Sequence, residues 1–72
     1  MKLKFTDHAQ YRIFYERGIS AEDIKLVIEY PDRSEKLQEG LIKSRKFLDK
    51  GNLVVIYSVS NTDYLIITSY FK

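Results

Sequence analysis

The chain contains no cysteine, a single histidine, a single proline and three glycines. Without cysteine there is no disulfide and no thiolate metal site. The lone His8 argues further against a dedicated zinc centre. No run approaches the about 20 apolar residues that a membrane-spanning helix requires. The opening "MKLKF" is charged, but no apolar stretch of about 7–15 residues follows, so it does not read as a signal peptide. The expectation is a soluble, cytoplasmic protein without membrane association. There is no glycine-rich phosphate loop and no serine-centred nucleophile motif, so neither a cofactor nor a metal is expected.

Excess charge is also scarce. Twelve basic residues against ten acidic ones leave +2, too little to mark a nucleic-acid binder by total charge. Distribution is more informative. Residues 41–50, "LIKSRKFLDK", hold Lys43, Arg45, Lys46 and Lys50 against Asp49 alone. Residues 21–32 hold Glu22, Asp23, Glu29 and Asp32 against Lys25 alone. With 44% hydrophobic and 31% charged residues, the 72-residue chain reads as one small globular domain rather than a disordered one. A domain this size buries little surface and has a thin stability margin.

What is present is well punctuated. Lys2–Phe5 alternates charged and apolar residues, the period of a half-buried strand. Thr6 reads as an N-cap with Asp7 in the first helical turn, where the helix dipole favours an acid. The helix should run from Asp7 to Arg17 and stop at Gly18, which tolerates the left-handed C′ position. Ser20 caps a second helix, with Asp23 three residues on, and Ile19 and Ile24 form a hydrophobic staple. Ala21, Ile24, Val27 and Ile28 share its core-facing stripe, and Pro31 ends it. Strands follow over Arg33–Leu37, Leu41–Leu48, Leu53–Val59 and Tyr64–Phe71, joined by short turns at Glu39-Gly40, "DKGN" and "SNTD". The order β-α-α-β-β-β-β implies an α+β fold: two N-terminal helices packed on a four- to five-stranded antiparallel sheet.

Two constellations carry candidate chemistry. At about 100° per residue, His8, Arg12 and Tyr15 fall within about 60° of one another on the first helix. An imidazole there is a candidate base and the guanidinium a candidate phosphate ligand. The same residues also suit a purely structural role, with Arg12–Glu16 an ordinary i,i+4 ion pair. On the sheet, Lys43, Arg45 and Phe47 should share one face of their strand, opposite Ile42, Ser44, Lys46 and Leu48. In the last strand, Tyr64, Ile66, Thr68 and Tyr70 should oppose Leu65, Ile67, Ser69 and Phe71, the second set lying under the helices. Thr68 and Tyr70 would then join Lys43 and Arg45 on an open face that offers phosphate contact and base stacking. Strand cations also serve simply to block edge pairing. On the second helix, Leu26 and Tyr30 point away from the core stripe and are candidate partner contacts.

The string "HAQYRIFYERGISAEDIKLVIEYPD", with "LIITSYF" near the end, resembles a family of short bacterial and archaeal domains of unknown function. That family is similar to the RelE/ParE superfamily of toxins from toxin–antitoxin modules. The resemblance covers nearly the whole chain. It implies a RelE/ParE-like fold and places His8, Arg12 and Arg17 in the helix motif and Thr68 at the late threonine. It further implies a metal-independent endoribonuclease, an mRNA interferase of a type II module. The partners would be RNA, free or as ribosome-bound mRNA in the RelE manner, and an antitoxin encoded by a neighbouring gene. Catalysis would fall to His8 and Arg12 of the motif and, by strand position rather than motif, to Lys43, Arg45 and Tyr70; RNA contact would fall to Arg17, Lys46 and Thr68. The alternatives are a non-catalytic protein-binding module of the same fold and a ParE-like gyrase inhibitor.

Overall fold

The computed structural model describes residues 1–72. Strand β1 (Lys2–Phe5) leads into helix α1, which is α-helical over Asp7–Gln10 and π-helical over Tyr11–Glu16. Helix α2 spans Ala21–Glu29. Strands β2 (Arg33–Lys36), β3 (Leu41–Leu48), β4 (Gly51–Ser60) and β5 (Asp63–Phe71) complete the chain. The fold is α+β, with two short helices on one face of a five-stranded sheet ordered β1-β5-β4-β3-β2.

Local signals act where the side chains are short and polar. Thr6 Oγ1 accepts the Ala9 N–H at 3.1 Å and Ser20 Oγ accepts the Asp23 N–H at 3.1 Å, each relieving an orphan donor of a helix start. Gly18 sits at φ 64 between the helices. Ile19 and Ile24, on either side of the second cap, are both buried in the core.

The helix and the strand pairing both depart from expectation. The helix does not stay α-helical to Arg17. From Tyr11 onward it widens, and it ends with the Arg17 N–H bonded to the Arg12 carbonyl and the Ile19 N–H to the Ile13 carbonyl. This looser winding leaves Ile13 fully buried while the chain turns to bury Ile19 as well. The sheet, moreover, is mixed. β2, β3, β4 and β5 form an antiparallel meander, but β1 pairs with β5 in parallel, Leu3 opposite Tyr64 and Phe5 opposite Ile66. That pairing joins residues some sixty positions apart, so no turn signal announces it.

The core lies between the helices and one sheet face. Ala9, Ile13, Ile24, Val27 and Ile28 meet Leu53, Val55, Tyr57 and Ile66 there. Phe5 and Phe14 close one side, with ring centroids 5.1 Å apart. Buried polar groups on this face are satisfied: Ser44 Oγ lies 2.7 Å from Ser34 Oγ and 3.3 Å from the Tyr57 hydroxyl. Ser69 Oγ donates to the Val54 carbonyl at 2.8 Å. Strand β5 does not keep one alternation throughout. A bulge at Ile67 interrupts its register with β4, so that Tyr57 faces Ile66 while Ile56 faces Thr68. Tyr64 and Ile66 therefore turn into the core rather than outward, whereas Thr68 and Tyr70 keep the open face expected of them. No helix is long and apolar enough to cross a membrane.

Candidate nucleic-acid interface

The sheet face away from the helices has no covering layer, and its middle is cationic. Period-two alternation puts Arg33 and Glu35 of β2 on the same side as Lys43 and Arg45 of β3 and Val54 of β4. These residues, with Lys72 at the far end, line an open groove of about 190 Å³. That volume is below the usual range for sites enclosing a drug-sized molecule and suits a group gripped from one side. Val54 forms the floor. It is fully buried yet stands outside the helix-side core, covered by the side chains of the open face. Tyr70 lies opposite Val54 on the next strand and is half-buried there.

The register makes the electrostatics of the groove unusual. Arg33 and Arg45 stand directly opposite each other across the β2–β3 pair. Like charges in that relation oppose pairing. Beside them Lys43 faces Glu35, with Nζ 4.0 Å from the carboxylate, a loose contact at a partly solvated site. Three cations from adjacent strands thus share one carboxylate, a local excess as large as the +2 carried by the whole chain. Closely spaced guanidinium groups offer forked donors that match phosphate oxygens.

The other sequence-predicted site residues are placed elsewhere. His8 and Arg12 are exposed on α1, in the layer across the sheet from the groove. Arg12 Nε lies 3.7 Å from Glu16 Oε1, the ion pair weighed as the structural alternative. Beside them the exposed Tyr11 and Tyr15 rings stack at 5.6 Å. Arg17 Nη1 donates to the Ser69 carbonyl at 3.2 Å and ties the end of α1 to β5. Lys46 turns to the helix side, where Nζ donates to the Tyr30 carbonyl at 2.9 Å and pairs with Asp32 at 3.6 Å. Thr68 is half-buried on the open face opposite Ile56. Leu26 on α2 and Tyr30 at its C-cap are both exposed.

The groove therefore unites Lys43 and Arg45, with Tyr70 alongside, and does not include His8 or Arg12. Sequence reasoning missed Arg33, Glu35, Val54 and Lys72. Their signal was the hairpin register. Pairs 33/45 and 35/43 centre on Glu39, a residue at φ 62 within the Gln38–Gly40 turn. Centring the hairpin between Glu39 and Gly40 instead would shift the pairing by one residue and pair each groove residue of β2 with the wrong face of β3.

Asp32 braces the entrance to β2. Its Oδ2 accepts the Phe47 N–H at 2.8 Å, and its backbone N–H donates to the Arg45 carbonyl at 2.9 Å. The Phe47 N–H, and then the nearby Lys46 and Arg45 charges, hold the Asp32 carboxyl below the usual carboxylate value. A depressed folded value means a contribution that is complete above the unfolded value, about 3.9, and is lost as pH falls through the folded value. Asp32→Asn should therefore reduce stability at neutral pH and flatten its decline below about pH 4. Thermal melts of both proteins between pH 7 and pH 2 check this; parallel curves would remove Asp32 from the account.

Among known proteins, no curated protein and no solved structure matches this chain. A family model described as a domain of unknown function, DUF4258, matches residues 5–71.

Proposed function

The chain belongs to the DUF4258 family of domains of unknown function, and from its open sheet face we propose an RNA-cleaving toxin of RelE/ParE type. The observation that carries the reading is the direct opposition of Arg33 and Arg45 beside Lys43. A sheet that needed only solubility would alternate charge across the pair; two facing arginines suit an anion between them. The chain's modest net charge does not oppose this, because the relevant field is local.

The chemistry is metal-independent transesterification. Glu35, the one carboxylate lining the groove, removes the ribose 2′-OH proton. The 2′ oxygen bonds to the adjacent phosphorus as the bond to the 5′ oxygen breaks, and the departing oxygen takes a proton from solvent. Arg33, Lys43 and Arg45 stabilise the charge that grows on the phosphoryl oxygens. The products are a 2′,3′-cyclic phosphate and a 5′-hydroxyl. His8, the base considered from sequence, has no part in this scheme. An antitoxin from a neighbouring gene would act by covering the groove.

Glu35→Gln should lower the cleavage rate by about 10²–10⁴-fold, the usual span for a lost general base, while RNA affinity is kept. His8→Gln should cut like the parent. Gel assays on purified protein, with and without ribosomes, measure both. RNA binding without cleavage in either setting would make the chain a non-catalytic RNA-binding module. Absence of binding would sink the proposal and leave the protein-binding module; a supercoiling assay addresses gyrase.

A further inference from the structure

Beside the phosphate groove lies a second hollow, of about 290 Å³, formed by Asp32, Arg33, Arg45, Phe47 and Asn52. Arg33 and Arg45 border both, so whatever they hold lies within reach of each. Phe47 is 74% exposed, against 37% for the other exposed phenylalanine, Phe71. It follows Arg45 by two residues on the same face of β3, a rise of about 6.7 Å, and stands opposite Asn52. Its backbone is fixed. The Phe47 N–H is bonded to Asp32 Oδ2 at 2.8 Å, and Lys46 Nζ, one residue back, holds the Tyr30 carbonyl at 2.9 Å. An exposed phenylalanine alone needs no explanation. One on a braced strand, sharing a hollow with two phosphate-directed arginines and a carboxamide, makes a nucleotide-sized set of contacts.

We infer that Phe47 is a base-stacking platform, so that the ligand of the open face is single-stranded RNA rather than duplex or a bare polyanion. This rests on the phosphate-binding reading of the neighbouring groove. A phosphate lies between Arg33 and Arg45, its base lies on the Phe47 ring, and the Asn52 carboxamide meets the base edge with one donor and one acceptor group. A base inside a duplex is already stacked by its neighbours and cannot lie on a ring carried by a sheet surface. Inorganic polyphosphate satisfies the arginines and leaves the ring unused.

The test compares a fluorescent ten-nucleotide RNA single strand, the same sequence as duplex, and polyphosphate as competitor, by anisotropy. Phe47→Ala should weaken single-strand binding by about 5- to 150-fold, the value of one base–aromatic stack, with polyphosphate competition unchanged. Phe47→Tyr should restore the affinity. The melting temperature should stay at the parent value, because the ring is mostly solvated. Arg45→Ala should weaken the single strand and polyphosphate together. Parent-like single-strand binding by Phe47→Ala, or equal affinity for duplex and single strand, overturns the stacking platform. Parent-like binding of both ligands by Arg45→Ala instead overturns the groove reading on which it rests.

Discussion

Arg45→Glu is expected to weaken RNA binding severely while leaving the protein at least as stable as the parent. The two effects have one origin. Arg45 faces Arg33 across the β2–β3 pair, and unlike charges in that position favour pairing where like charges oppose it. Reversal should therefore raise stability by about 0.2–1 kcal/mol, the range for cross-strand pairs. It also puts a negative charge where a phosphate would sit. Each lost phosphate contact should reduce the salt dependence of single-strand binding by about 0.7 in log–log slope. Anisotropy titrations at several salt concentrations, alongside thermal melts, read both. A variant that lost binding and stability together would show Arg45 to be a structural residue. Charges kept at a cost to folding are what a binding surface selected for its ligand would display.

Leu53→Ala is expected to remove about 2–5 kcal/mol of stability, the cost of emptying a buried leucine site. Leu53 is fully buried in the central strand, on the sheet face that the helices cover. A chain of 72 residues has about 4–11 kcal/mol in total, by the usual value per residue. The variant should thus melt about 8–40 °C lower, at about 4–8 °C per kcal/mol for a domain of this size. Val54→Ala is the informative neighbour. Val54 is just as inaccessible, but it lies on the other side of the sheet beneath the groove's side chains. Its loss removes two methylene equivalents, about 1.6 kcal/mol, and leaves the helix-side core intact. Equal losses for the two would mean that the open face is covered in solution by something as continuous as the helix layer.

These two residues also show what the sequence could and could not disclose. Leu53 and Val54 lie in one unbroken apolar run, so periodicity could not assign either to a face. Caps were legible because each is a three-residue matter: Thr6 with Ala9, Ser20 with Asp23. Lys43 and Arg45 could be put on one face by alternation within a single strand. Arg33 and Glu35 could not be joined to them, because that depends on which residue centres the hairpin, and Glu39 adopts a left-handed conformation that its side chain does not favour. The outward reading of Tyr64 and Ile66 failed for a related reason. Tyr64 to Ile67 are four consecutive apolar residues, and nothing in them marks Ile67 as the unpaired one. Distant pairing, register and bulges are set by the assembled sheet, and the groove depends on the register.

The parallel pairing of β1 with β5 has a consequence for how the domain is made. Lys2–Phe5 are synthesised some sixty residues before their hydrogen-bonding partners, Asp63–Ile66. A meander of neighbouring strands can zip up from local contacts; this edge cannot, because closing so long a loop must wait for both ends. Until then Leu3 and Phe5 have no strand to pair with. During translation the nascent chain would thus carry an unpaired, half-apolar strand beside an unfinished core, the state in which chains bind chaperones or one another. The same feature ties the open face to the fold: β5 supplies Tyr70 beside the groove and also anchors β1, so neither is complete before β5 is made.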